Sequence, residues 1–219
     1  MPDPDPTPEY LAPYREAVGR YGTSFESLLW RSEEYQSERF RIICEVAPIA
    51  GRIVCDLGSG RADLLAYFHQ RAAGYRRYIG VEAVEELAAF SEQRARDAGW
   101  ADVDIVRADF VSEPQLLARL VRDRGAETLI FSGSLNTLEP RRAAAVLQEA
   151  WDAVKVVPGG ALVFNFLSTH GRRMTADTGP ARRFNPTPLM KWALRRAPSV
   201  TLRHDYLRGH DATIAMRAR

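Results

Sequence analysis

The sequence predicts an α/β protein. It should have a mainly parallel sheet with helices on both faces, closed by an antiparallel strand pair and preceded by a helical segment. Three observations carry this. Short apolar runs alternate with runs of helical period from residue 52 to residue 167. The first apolar run, Ile53-Val54-Cys55, ends in Asp56-Leu57-Gly58-Ser59-Gly60, a strand followed by a tight turn and a helix start. Near the end, residues 199–206 and 211–218 are both strand-like and are separated only by Leu207-Arg208-Gly209-His210. A link that short makes no crossover, so those two strands run antiparallel.

The elements follow in order. Residues 1–8 alternate Pro and Asp and read as a disordered lead-in. Residues 9–48 read as two or three helices, rich in Tyr, Phe and Trp, that form an N-terminal cap. The main domain spans 49–219. Its strands and helices alternate: strand 52–57, helix 63–73, strand 77–82, helix 84–98, strand Val103 to Arg107, helix 114–123, strand Glu127 to Phe131. A helix from Pro140 to Val156 follows, with Val146, Leu147, Ala150 and Val154 on one face and Pro140 suited to its first turn. Pro158-Gly159-Gly160 ends it and turns into the strand Ala161 to Leu167. Repeated β–α units of this kind make right-handed crossovers. A long connection over 168–198, with a short helix near 189–196, reads as a lid or binding loop.

Composition sets bounds. The chain has 219 residues, 46% of them hydrophobic and 26% charged, ordinary values for a globular protein with one α/β domain. No apolar run approaches the ~18 residues that span a bilayer. The N-terminus is neither basic nor apolar and does not read as a signal peptide, so a cytoplasmic location is expected. Cys44 and Cys55 are two cysteines without ligand spacing to any histidine; they read as reduced thiols, and no metal site is expected. The net charge of +2 conceals an asymmetry: residues 165–219 carry +8 and residues 1–164 carry −6. The basic end is either a solvated face or a surface for an anionic substrate or a nucleic acid.

The chemistry is concentrated around Asp56. Gly58 and Gly60 let the backbone approach a ligand closely, and the strand Tyr78-Ile79-Gly80-Val81-Glu82 ends in an acid placed to take two ribose hydroxyls. Together they point to a nucleoside-containing cofactor at the carboxyl edge of the sheet. A dinucleotide fingerprint would need a third glycine where Asp63 stands, and a negative charge there faces a pyrophosphate badly. Asp56, ahead of the first glycine, suits a cofactor bearing an ammonium group instead.

This Asp-x-Gly-x-Gly pattern with its downstream acid resembles the class I S-adenosylmethionine-dependent methyltransferases, with Ala62 where their third glycine usually stands. The resemblance covers about residues 50–219. It implies a Rossmann-like seven-stranded sheet of order 3-2-1-4-5-7-6 and S-adenosyl-L-methionine as cofactor, with S-adenosyl-L-homocysteine as product. It places Asp56, directly or through water, at the methionine end, Gly58, Ser59 and Gly60 as a backbone wall, Glu82 and the adjacent Ala83 at the ribose, and Asp109 and Phe110 at the adenine. Asp109 also reads as a helix N-terminal acid beside a core aromatic. The turn Ser132-Gly133-Ser134-Leu135-Asn136 would lie beside the methionine moiety and the methyl, with Ser134 and Asn136 toward substrate; ordinary turn chemistry explains it equally. No Asn-Pro-Pro-Tyr-type sequence stands there, which argues against methylation of amides and base amino groups.

Residues 30–40 also resemble a bacterial subgroup of small-molecule methyltransferases in which a helix before the first strand folds over the cofactor. Trp30, Gln36 and Arg39 match that pattern. Gln36 and Arg39 share a helix face. Arg39 is expected either to hold the cofactor carboxylate or to pair at the surface with Glu33 or Glu34. For proton transfer the candidates are His170, at the end of the fifth strand, with Asn136 and with Tyr206 at the end of the first hairpin strand; His204 and His210 also lie in the terminal hairpin. Arg172 and Arg173, next to His170, are placed to hold a substrate carboxylate or phosphate.

The expected activity is methyl transfer to an oxygen or nitrogen of a small metabolite or natural-product intermediate. The rivals are an RNA methyltransferase using the basic C-terminal region, a non-catalytic S-adenosylmethionine-binding protein, and a nicotinamide-dependent oxidoreductase. The last is disfavoured by Asp63 and by the lack of a Tyr-x-x-x-Lys pair. No nucleic-acid module and no membrane segment are recognised, and the sequence leaves the oligomeric state open.

Overall fold

A computed structural model describes residues 7–171 and 179–219. The cap consists of α1 (Ala12–Tyr21), a 3-10 turn (Phe25–Leu28) and α2 (Glu33–Val46). The domain continues as β1 (Ile53–Leu57), α3 (Asp63–Gln70), β2 (Arg77–Glu82), α4 (Glu85–Asp97), β3 (Val103–Arg107), α5 (Leu116–Arg122), β4 (Thr128–Ser132), α6 (Pro140–Val154) and β5 (Ala161–Ser168). It ends with β6 (Arg183–Phe184), α7 (Pro186–Leu194), β7 (Ser199–Arg203) and β8 (Asp211–Arg217).

The sheet runs β3-β2-β1-β4-β5-β8-β7. Strands β1 to β5 are parallel, and β8 lies antiparallel to both β5 and β7. That is the expected order and direction. The strand count differs: β6, only two residues long, pairs in parallel with Leu167 and Ser168 at the end of β5, making eight strands rather than seven. Residues 183–184 carry no period that marks so short a strand, because its pairing comes from β5 and not from its own side chains. The first hairpin strand also stops early, at Arg203, and a 3-10 turn over Leu207–Gly209 precedes β8. Tyr206 therefore does not end a strand. The short helix starts at Pro186, three residues before the expected 189, where Asn185 caps it by accepting from Thr187 N at 2.9 Å.

Alternation along the strands divides the core into two layers. Cys55, Leu57, Ile79, Val81, Leu129 and Phe131 pack toward α5, α6 and α7 with Leu117, Leu147, Trp151 and Ala193. Val54, Tyr78, Ile130, Val163 and Ala215 pack toward α2 and α3 with Phe40, Ile43, Leu65 and Phe68. Strands buried on both faces read as apolar runs, which is why β1, β4 and β5 are visible in sequence. Cys44 and Cys55 are both free, and burial raises the thiol pKa of each. Among the described residues no helix is long and apolar enough to cross a membrane, and no cluster of three or more metal-ligating side chains occurs.

The cap lies across the carboxyl ends of the parallel strands. Helix α2 is fastened there by a buried ion pair: Arg39 Nε and Nη2 donate to Asp211 Oδ2 and Oδ1 at 2.7 and 2.8 Å. Helix α1 is preceded by Tyr10, whose hydroxyl donates to Asp109 Oδ2 at 2.6 Å. These three hydrogen bonds hold a roof over the place where the strand-end turns converge.

Candidate active site

The turn after β1 must reverse direction without side-chain bulk. Gly58 and Gly60 take φ of +80° and +55°, a region glycine enters freely. A Cβ at Gly58 would stand 2.5 Å from Ser134 Cβ, so the β1 and β4 turns are in direct contact. The β1 turn is stitched to β2: Gly58 N and Ser59 N donate to Val81 O at 2.8 and 3.0 Å, and Gly60 N donates to Glu82 Oε2 at 2.8 Å. Glu82 Oε1 accepts from Val84 N at 2.8 Å. Burial raises the Glu82 pKa, and the amides of Val84, Gly60 and Ala83 offset part of that rise. The β4 turn is held by Asn165 on β5, whose Oδ1 accepts from Gly133 N at 2.7 Å, while Ser134 Oγ donates to Leu57 O at 2.5 Å.

These turns and the cap enclose a cavity of about 530 Å³. Trp30, Gln36, Arg39, Asp56, Gly58, Ser59, Gly60, Glu82, Ala83, Asp109, Phe110, Ser132 and Gly133, the residues expected at a cofactor, all line it, as do Ser134 and Asn136. Asn136 accepts from Leu167 N through Oδ1 at 3.3 Å.

Three expectations are corrected. Arg39 lines the cavity, but its guanidinium fork grips Asp211 and not Glu33 or Glu34; it also lies 4.3 Å from the Trp30 ring centroid. Asp211 takes its Nε–Nη2 edge, and Nη1 faces the β4 turn, 3.8 Å from where a Cβ at Gly133 would stand. His170 is exposed, with its ring nitrogen Nδ1 3.0 Å from Thr169 Oγ1, and does not line the cavity, because β5 ends two residues before it. Tyr206 is buried behind the hairpin, its hydroxyl 2.6 Å from Thr213 Oγ1, and burial raises its pKa. Neither residue is positioned to take a proton from a ligand in the cavity. Arg172 and Arg173 lie outside the described residues.

The structure brings to the cavity residues to which the sequence assigned no site role. Asp63, weighed only against a dinucleotide, lines the cavity and accepts from Arg94 Nη1 at 2.6 Å and Gln36 Nε2 at 3.3 Å. Tyr10 occupies one oxygen of Asp109, and Val111 N donates to the other at 2.9 Å. Burial and the Asp109 carboxylate raise the Tyr10 hydroxyl pKa to about 12, so it remains a donor. Arg183 and His210 line the opposite end. The adjacent His210-Asp211 pair at the start of a strand was the available signal, and only its placement beside α2 gives it meaning.

The cavity's acids are gathered on one side. Asp56 lies near the end of β1, Asp63 begins α3, Glu82 ends β2, and Asp109 follows β3. Asp56 is buried; its Oδ2 accepts from Tyr78 OH at 2.7 Å, while its Oδ1 has no partner. Burial pushes its pKa up to about 7, the Tyr78 hydrogen bond opposes this, and Glu82 and Asp63 add to it. Ser59 Oγ is also buried without a partner. Ser59 Oγ faces Gly80 of β2, whereas an unpaired oxygen of the cavity-lining Asp56 is costly and calls for a ligand that donates to it. A ligand with an ammonium group and hydroxyls fits this side; a pyrophosphate does not.

Asp56 gives a pH-dependent prediction. Its folded pKa stands above the ordinary value of ~3.9, so ionising it costs stability as pH rises toward about 7. That cost is absent below the unfolded pKa and complete above the folded one. Asp56→Asn is expected to raise Tm at pH 8 by several degrees, at ~2–4 °C per kcal/mol of relieved cost for a chain of this size, with the gain fading by pH 4. The same variant should bind cofactor more weakly. Thermal scans across that range check it; a gain that does not vary with pH would mean that Asp56 stays ionised in the free protein.

No family model matches the sequence, and no curated protein matches it. Solved structures do match the fold. An S-adenosylmethionine-dependent methyltransferase from Aquifex aeolicus superposes with a TM-score of 0.62 at 13% identity, over 86% of this chain and 94% of that one. The methyltransferase SibL, in its apo form, gives 0.66 at 16% identity over 94% and 62% of the two chains. An O-methyltransferase family protein from Burkholderia thailandensis gives 0.63 at 17% identity over 88% and 57%. The chain thus has the fold of the class I S-adenosylmethionine-dependent methyltransferases. Its sheet order, β3-β2-β1-β4-β5-β8-β7, agrees with the order the resemblance implied.

Proposed function

We propose that the protein transfers a methyl group from S-adenosylmethionine to an oxygen or nitrogen of a small metabolite. The observation that carries this is the set of acids on one wall of the cavity, above all the unpartnered Oδ1 of buried Asp56. Asp56 would receive the cofactor's ammonium group. Glu82 would accept from the ribose hydroxyls with the lone pairs that its amide donors leave free. Asp109 and Phe110 would hold the adenine, and the turns containing Gly58 and Gly133 would flank the methionine chain. When bound, this cofactor supplies a methyl already activated for displacement, so the protein's work is alignment and exclusion of water. The roof formed by Tyr14, Trp30 and α2 serves both. A cavity of this size, closed over by the cap, favours a small acceptor.

Isothermal titration calorimetry with S-adenosylmethionine, S-adenosylhomocysteine and NAD tests the reading. Binding of the first two without NAD is expected, and a labelled-methyl screen of small acceptors should then yield a product. Binding of NAD alone would sink the proposal.

A further inference from the structure

At the end of the cavity away from the acids, His210 stands between two groups that fix its protons. Its Nδ1 lies 3.1 Å from Asp211 Oδ1, and its Nε2 lies 3.2 Å from Arg183 Nη2. A carboxylate only accepts and a guanidinium only donates. Nδ1 therefore carries the hydrogen and Nε2 presents its lone pair. The ring is held edge-on to Tyr35 of α2, with centroids 5.7 Å apart at 87°. Asp211 is itself immobilised, fully buried and clamped by Arg39 from α2. Among the described residues, the charged and titratable groups facing His210 are Asp211 next to it at the start of β8, Arg183 on β6, Tyr35 on α2 and, through Asp211, Arg39. His210, Arg183, Tyr35 and Asn136 all line the cavity.

We propose that His210 is the base of the reaction, with Asp211 as its positioning residue, and that the methyl acceptor is a hydroxyl. This rests on the methyl-transfer reading above. The acceptor O–H takes the place of the Arg183 N–H at Nε2 and gives its proton to that nitrogen. The oxygen lone pair then forms the C–O bond as the S–C bond breaks and its electron pair returns to sulfur, leaving a thioether. The proton passes from the imidazolium to solvent. The Arg183 guanidinium, displaced from Nε2 but adjacent to it, stabilises the developing oxyanion. An amine that attacks as its neutral form needs no such oriented base, and this is why the arrangement selects oxygen.

Two measurements on the protein saturated with S-adenosylhomocysteine test this. Long-range 15N–1H correlation spectra of 15N-histidine-labelled protein should show one of the four imidazoles as the Nδ1–H tautomer, with its signals missing in His210→Gln. An Nε2–H tautomer for His210 would overturn the proposal. In the second, 4-nitrophenol serves as probe hydroxyl at a pH where the free phenol is mostly neutral. The wild type should generate phenolate absorbance, and His210→Gln at least tenfold less. Absence of the phenolate signal in the wild type, or an equal signal in both proteins, overturns the assignment of His210. Calorimetry read beforehand separates the two readings. No binding of S-adenosylhomocysteine removes methyl transfer and this proposal with it; binding followed by a negative phenol result removes only the base.

Discussion

Arg39→Ala is expected to destabilise the protein by about 3–5 kcal/mol, the usual cost of leaving one member of a buried ion pair without its partner. Asp211 is fully buried, and both of its oxygens receive Arg39 hydrogen bonds. Burial alone would raise the Asp211 pKa; the Arg39 charge and the hydrogen bonds from His210 and Arg39 outweigh it and bring the pKa below the ordinary value. A lowered folded pKa contributes stability that is present above the unfolded pKa and is lost as pH falls through the folded one. Without Arg39 the sign reverses: the buried carboxylate is penalised at neutral pH and relieved by protonation. The deficit of the variant should therefore shrink between pH 7 and pH 4. Urea denaturation at both pH values measures it. Arg39→Lys, which keeps the charge but loses the two-pronged geometry, should recover only part of the stability. A loss below ~1 kcal/mol, the range of exposed pairs, would show that this pair does not fasten α2 to the sheet.

The second large effect concerns Glu82. Replacing it with alanine should weaken binding of S-adenosylhomocysteine by roughly 1.5–3 kcal/mol, the worth of hydrogen bonds to a charged group, which is about a tenfold to a hundredfold rise in Kd. The structure adds a cost to the free protein, because Gly60 N and Val84 N would both lose their acceptor. Tm should therefore fall together with affinity. Glu82→Gln, which retains one acceptor oxygen, should lie between alanine and the wild type in both respects. Calorimetry and thermal scans on the two variants separate the contributions. If Tm falls while Kd is unchanged, Glu82 only braces the glycine turn, and the ribose site lies elsewhere.

How much of the site was legible depended on how local each requirement is. Gly58 and Gly60 are visible because a reversal at positive φ demands glycine at those positions. Glu82 is visible because the apolar run before it shows where a buried strand reaches the sheet edge. The β4 turn is visible for the same reason. The helix of the cap was legible through the Trp30, Gln36 and Arg39 pattern; the structure adds its cap, Ser32, whose Oγ accepts from Tyr35 N at 3.3 Å. Its matching residues, Trp30, Gln36 and Arg39, do line the cavity. By contrast, His170 looked attractive because it follows a strand directly, yet its position in sequence says nothing about which way the chain turns after Ser168.

The sequence by itself determined the α/β alternation, the antiparallel closure and the set of strand-end residues that gather at one edge of the sheet. Periodicity, glycine placement and link length act over a few residues, so a linear reading recovers them. Only the tertiary structure decided that Arg39 serves Asp211, that Tyr10 takes an oxygen of Asp109, and that Arg183 and His210 meet at the far end of the cavity. Those partners are separated by 172, 99 and 27 residues. Many acids lie far along the chain from Arg39. Which of them it meets is set by the crossing of α2 over β8, a packing outcome of the whole core that no local spacing records.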